Sequence, residues 1–139
     1  MNKDTNIRMD TNDTNNANKA LLIYPELSYT VTGILFSVHN VLGPYAREKQ
    51  YGDEFETQLK RKDISYKREV VIGDSGNILD FVIKDKIAVE FKAKRILTKE
   101  DYFKVQRYLQ EARLKLGLLV NFRNKYIKPV RIIRIDKSD

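Results

Sequence analysis

The most constraining feature of this chain is the almost unbroken apolar run Gly117-Leu118-Leu119-Val120-Asn121-Phe122. A strand with one wet face alternates apolar and polar residues, whereas a continuous apolar run belongs to a strand covered on both faces, as in an α/β sheet. The run therefore calls for helices on both sides of a sheet. The rest of the chain supplies them. A helix is expected from near Ser28, as N-cap, to the Gly43-Pro44 stop, with Val31, Ile34, Leu35, Val38, Val41 and Leu42 at helical spacing. A second runs from Glu48 to about Lys62, with Tyr51, Phe55 and Leu59 one turn apart. A third runs from the cap Thr98, with Asp101 in its first turn, to about Lys115. Between the second and third lie short β-branched runs at Arg68–Ile72, Ile78–Ile83 and Ile87–Lys92, which read as two consecutive hairpins. Val130–Ile135 is a last strand, with Pro129 at its start. The expected order is ααβββαββ, an α/β fold with a mixed β-sheet flanked by helices.

Composition narrows the chemistry. The 139 residues suit one domain and include no cysteine and one histidine, His39. Thiolate metal sites, thiol nucleophiles and histidine clusters are thereby excluded, and any metal has to be held by oxygen ligands, as suits Mg²⁺, Mn²⁺ or Ca²⁺. No run approaches the roughly 20 apolar residues of a membrane span, and the first residues lack the apolar core of a signal peptide. The expectation is a cytoplasmic protein with no membrane partner.

Residues 1–19 contain six Asn, three basic and three acidic residues, and almost nothing large and apolar. Such a segment buries too little to offset its ordering entropy, so it is expected to be a disordered N-terminal tail, with the folded domain over 20–139. The tail is neutral, which leaves the whole net charge of +7 on the domain. A basic domain attracts polyanions, nucleic acid above all.

Three charged residues interrupt the apolar strands: Asp80 in Ile78–Ile83, and Glu90 and Lys92 in Ile87–Lys92. Side chains alternate along a strand, so Glu90 and Lys92 share a face about 7 Å apart, at ~3.3 Å per residue. A three-residue loop, Lys84-Asp85-Lys86, sets Asp80 opposite Glu90, whereas a two-residue loop shifts the pairing by one. Opposed carboxylates repel unless a cation sits between them. Two carboxylates and a lysine are what metal-assisted phosphodiester hydrolysis needs: ligands for the metal, and a cation to orient water or neutralise the phosphorane. The competing reading is a surface hairpin whose alternating charges face solvent.

The order Asp, strand with Glu-x-Lys, helix, apolar strand resembles the core of the PD-(D/E)xK nuclease superfamily, and within it the chain is similar to the GxxExxY family. The resemblance rests on residues 38–51 (VHNVLGPYAREKQY), 78–93 (ILDFVIKDKIAVEFKA), 100–110 (EDYFKVQRYLQ) and 114–122 (LKLGLLVNF). It implies a restriction-endonuclease-like core and a metal-dependent nuclease with Mg²⁺ or Mn²⁺ as cofactor; DNA is the expected substrate, although the sequence does not separate DNA from RNA. Asp80 and Glu90 match the metal-binding acids, Lys92 the core lysine, and Glu48 the motif glutamate, an extra metal ligand or water holder. Tyr51 matches the motif tyrosine, with core packing as the equal alternative. Tyr45 stands where the family commonly has glycine, and Lys104 where many members have glutamine; Gln106, two residues on, points elsewhere on its helix. The alternative function is a catalytically inactive nucleic-acid-binding or protein-interaction module on the same fold. A homodimer is compatible with the resemblance, but no interface is legible.

Other polar residues have plainer readings. His39 is expected to be a hydrogen-bonded structural residue rather than a base. Tyr102, Phe103 and Tyr108, interleaved with Lys99, Lys104 and Arg107, could stack on or neutralise a strand of nucleic acid, but helical spacing favours packing for the aromatics. Arg123, Lys125, Lys128, Arg131 and Arg134 form a basic C-terminal segment, suited equally to phosphate contacts and to guarding a sheet edge.

Overall fold

A computed structural model describes residues 23–136. The expected tail at 1–19 lies outside the described residues. Helix α1 (Pro25–Leu42) and helix α2 (Glu48–Arg61) are followed by β1 (Tyr66–Ile72), β2 (Asn77–Ile83), β3 (Ile87–Lys92), helix α3 (Lys99–Ala112), β4 (Leu116–Asn121) and β5 (Val130–Ile133). The five strands form one sheet in the order β1-β2-β3-β4-β5. Only β3 and β4 pair in parallel, with α3 as the crossover between them; the other neighbours are antiparallel. This is the expected ααβββαββ order and a restriction-endonuclease-like mixed sheet. Among the described residues no helix is long and apolar enough to cross a membrane.

The apolar run explains the layering. Leu118, Val120 and Phe122 pack on one side with Val31, Leu35, Val38, Phe55 and Leu59 of α1 and α2. Leu119 packs on the other side with Val105, Tyr108 and Leu109 of α3. Gly117 is needed where α3 crosses β4, because a Cβ there would lie 2.9 Å from Val105 Cγ1.

Element ends depart from the sequence reading for local reasons. Helix α1 begins at Pro25, whose fixed φ suits the first helical turn. Ser28 is therefore not a cap; it is buried inside the helix, and its hydroxyl accepts a bond from Arg131 Nε at 3.2 Å. Helix α3 ends at Ala112 rather than near Lys115, because Arg113 turns into the left-handed region at φ 58°. At its start the Asp101 carboxylate accepts from the Thr98 N–H (2.7 Å) and hydroxyl (3.1 Å), as expected of that cap.

One irregularity lies in the first hairpin. In β1, Tyr66 packs towards α1 and α2, but Val70 and Ile72 pack towards α3. In β2, Phe81 and Ile83 face α1 and α2, but Leu79 faces α3. Strict alternation would keep Leu79 with Phe81 and Val70 with Tyr66. The change of side falls at Glu69, held at φ 55°, and at Asp80 across from it, while the register on either side stays constant. Asp80 thus sits where the hairpin switches faces.

Replacing Gly117 with Ala should push α3 off the sheet. Overpacking a dense core typically costs about 1–3 kcal/mol, so a urea denaturation midpoint clearly below wild type is expected, and an unchanged midpoint would show that α3 does not rest on that strand.

Candidate active site

The three-residue loop is the one formed: Ile83 pairs with Ile87, Val82 with Ala88 and Phe81 with Val89. The next pair in that register is Asp80 and Glu90, and there the backbone ladder gives way to the carboxylates. The Asp80 N–H donates to Glu90 Oε1 at 3.2 Å, and the Phe91 N–H donates to Asp80 Oδ2 at 2.7 Å. Each acid therefore takes the place of a carbonyl on the opposite strand. The residues that follow them, Phe81 and Phe91, point the other way into an aromatic cluster with Phe55, at centroid distances of 4.8 and 5.3 Å. That anchorage fixes the direction of the two acids.

Electrostatics follow from burial. Glu90 is 7% exposed. Desolvation holds its carboxyl far above the usual carboxylate range, the charge of Asp80 pushes it further up, and Lys92 opposes the shift. The phenol of Tyr108, from α3, is raised by burial and then by the charges of Glu90 and Asp80. Glu48 opens α2 and reaches the site from the other layer. Partial burial raises it, Lys92 lowers it, Asp80 raises it and Lys94 lowers it. Glu48 and Asp80 line one cavity of about 180 Å³ with Lys49, Gly52, Arg68, Glu69, Phe81 and Phe91. The fold thus brings Asp80, Glu90, Lys92 and Glu48 into one neighbourhood, although they come from three elements.

The loop before Glu48 is held by Tyr51. Its ring is fully buried and stacks on Phe122 at 4.1 Å and 9°. Its hydroxyl donates to the Gly43 carbonyl and accepts from the Ala46 N–H at 3.2 Å. Packing and loop clamping are thus one role. His39 is structural: its Nε2 donates to the Asn124 carbonyl at 2.8 Å. Gln106 faces away from the site, its amide bonded to the Ile133 carbonyl (2.9 Å) and to the Ile135 N–H (2.7 Å). Lys104 is exposed on α3, within a turn of both Asp101 and Tyr108.

Three contributors were missed by sequence reasoning. Asn121, read as part of the apolar run, is 4% exposed, and its amide accepts from the Lys94 N–H (3.1 Å) and donates to the Lys94 carbonyl (2.8 Å). It holds the chain just past Lys92. Lys94 in turn pairs with the buried Asp101 at 2.8 Å. Arg68 lies 5.4 Å over the Phe81 ring and pairs with Asp53 (2.7 Å) and Glu56 (3.2 Å), walling the cavity. A polar residue inside an unbroken apolar run was the available signal for Asn121; Lys94 and Arg68 had none.

Among the described residues no three His, Asp or Glu side chains are grouped closely enough to form a complete metal cage. Asp80 and Glu90 instead form a pair whose crowding favours a cation. A hard divalent ion fits such a pair, since Mg²⁺ usually keeps several waters and takes only one or two carboxylates.

No curated protein and no solved structure matches the chain. The family described as the PD-(D/E)XK nuclease superfamily matches residues 25–135, from the first turn of α1 to just past β5. The chain belongs to the PD-(D/E)XK nuclease superfamily.

Proposed function

We propose that this protein is a divalent-metal-dependent nuclease that hydrolyses phosphodiester bonds in nucleic acid, DNA by preference, and that it falls in the GxxExxY group of the superfamily. Members of the superfamily are generally nucleases, and typically use divalent metals. The observation that carries the proposal is the apposition of Asp80 and Glu90 at the break in the β2–β3 ladder, beside Lys92. The basic domain, with +7 overall, supplies attraction to a polyanion.

Asp80 and Glu90 would hold Mg²⁺ or Mn²⁺, with Glu48 as a further ligand or as the acceptor for a water. When bound, the cation lowers the pKa of water and stabilises charge on the scissile phosphate. Lys92, two residues along β3 from Glu90 and on the same face, orients the attacking water or neutralises the developing phosphorane charge. Asn121 and the Lys94–Asp101 pair keep Lys92 from drifting off the end of β3. Tyr51 holds the loop from which Glu48 enters. The absence of cysteine is in keeping with a reducing, cytoplasmic setting.

Cleavage of labelled single-stranded, duplex and branched DNA and RNA, with Mg²⁺, Mn²⁺ or EDTA, tests the reading. Asp80→Asn and Lys92→Ala should each lower metal-dependent cutting by roughly 100-fold or more, the scale of losing one transition-state charge contact, while melting curves report that both fold. Nucleic acid bound but never cut in any metal would leave the inactive binding module as the correct reading.

Proton linkage gives a second test, with two signs. Burial and Asp80 hold Glu90 protonated in the metal-free protein, so a cation has to displace that proton. Mn²⁺ affinity should therefore rise with pH by up to about tenfold per unit below the raised Glu90 pKa, and a flat profile between about pH 6 and about pH 8 would contradict the assignment. For stability the sign reverses. A raised native pKa means proton uptake on folding, so stability is full below the ordinary carboxylate range and is lost as pH rises towards the native value. Glu90→Gln keeps the shape without the charge. It should raise the melting temperature of the metal-free protein at neutral pH by several degrees, while abolishing cleavage.

A further inference from the structure

Among the exposed large apolar side chains of the described residues, Tyr45 stands out. Tyr45 is 83% exposed, yet its backbone is tightly held: Gly43 before it turns at φ 74° and donates its N–H to the His39 carbonyl, and Tyr51 bonds to both Gly43 and Ala46. A large ring kept in water on a clamped loop serves no packing purpose in the free protein. A cation lies beside it. The Arg123 guanidinium carbon lies 5.9 Å from the ring centroid, and Arg123 Nη2 donates to the Ala93 carbonyl at 3.4 Å. Ala93 follows Lys92, so the Tyr45–Arg123 pair abuts the candidate active site. The two loops around the ring are basic: residues 43–47 and 122–129 contain Arg47, Arg123, Lys125 and Lys128 and no acid, with Glu48 following as part of the candidate site. The loop that bears Arg123 also carries a second exposed tyrosine, Tyr126, with Lys125 Nζ 5.4 Å from its ring.

We propose that Tyr45, backed by Arg123, is a stacking platform for an unpaired base beside the scissile phosphate, so that the substrate is a DNA strand with a single-stranded segment at the point of cleavage. The inference rests on the nuclease reading and specifies its substrate. Inside a duplex paired bases bury their faces on one another, so away from the duplex ends only an unpaired base has a face free to lie on an exposed ring. Aromatic stacking, a flanking guanidinium and a basic rim are the means by which proteins hold single strands without reading sequence. The rim neutralises phosphates, and the ring takes the base.

The test uses the full chain carrying Asp80→Asn to prevent cutting, with fluorescence anisotropy on a single-stranded oligonucleotide, a flapped duplex and a blunt duplex in Mg²⁺. Tyr45→Ala should weaken single-strand and flap binding by about 10-fold or more, the range seen when one stacked base loses its ring, and should leave a long blunt duplex within about 2-fold of the Tyr45 protein, since all its bases except the two end pairs keep their faces covered. Tyr45→Trp should restore the affinity. Tyr29→Ala, an equally exposed tyrosine at the other end of α1, is the control and should change neither. An equal loss on duplex and single strand, no loss at all, or failure of Tyr45→Trp to restore binding overturns the platform. Cleavage by the Asp80 protein separates the two readings: metal-dependent cutting with Tyr45→Ala indifferent to strand type refutes only the platform, whereas neither binding nor cutting refutes both.

Discussion

Two carboxylates in the middle of a sheet are the constraint on which the rest of this structure turns. Left to themselves Asp80 and Glu90 would repel and separate, and a hairpin carrying them opposite each other would come apart. Several contacts hold them in place. Each acid accepts a backbone N–H from its partner's strand, so the pair does part of the hydrogen bonding that the ladder would have done. Phe81 and Phe91, one residue on, are buried against Phe55 and cannot rotate out without opening the core. Lys92 offsets part of the charge, and the remaining cost is met by holding a proton on Glu90. A cation bound there would exchange one form of neutralisation for another.

The layers around the pair divide the labour. The α1/α2 side supplies an aromatic bed and delivers Glu48 and the clamped loop to the C-terminal end of β3. The α3 side supplies Tyr108, whose phenol feels the charge of the acids, and Asp101 as the anchor of Lys94. The switch of faces at Glu69 and Asp80 lets both layers reach one residue. Asp80 lines the cavity on the α2 side, and its charge is also felt by Tyr108 on the α3 side. A strand with unbroken alternation would have committed it to a single layer.

Much of this was legible in the residues themselves. The almost unbroken run at 117–122 implied two covering layers, and the three charges inside β-branched runs marked where the candidate site forms, because such exceptions to a pattern are costly without a purpose. The loop at 84–86 left the register open between two choices, and only the folded chain decides it: Lys84 and Asp85 both adopt positive φ, a conformation that their side chains do not advertise. The switch of faces at Glu69 was hidden for the same reason. Asn121 was hidden by its company, since a buried amide inside an apolar run looks like a tolerated exception until its partners at Lys94 are visible. Ser28 misled because hydroxyls favour helix starts, whereas Pro25 three residues earlier set the boundary and left Ser28 to bond Arg131 of the last strand.

The Tyr51 clamp has a consequence for how such a domain changes over time. By bonding Gly43 and Ala46 from beneath, Tyr51 fixes the path of the loop through its backbone and makes no demand on the side chain at position 45. A residue there can be exchanged without disturbing where Glu48 enters the site or how Phe122 packs. Contact with the surroundings and the chemistry of the acids are thereby mechanically decoupled, so selection can act on the first without having to rebuild the second.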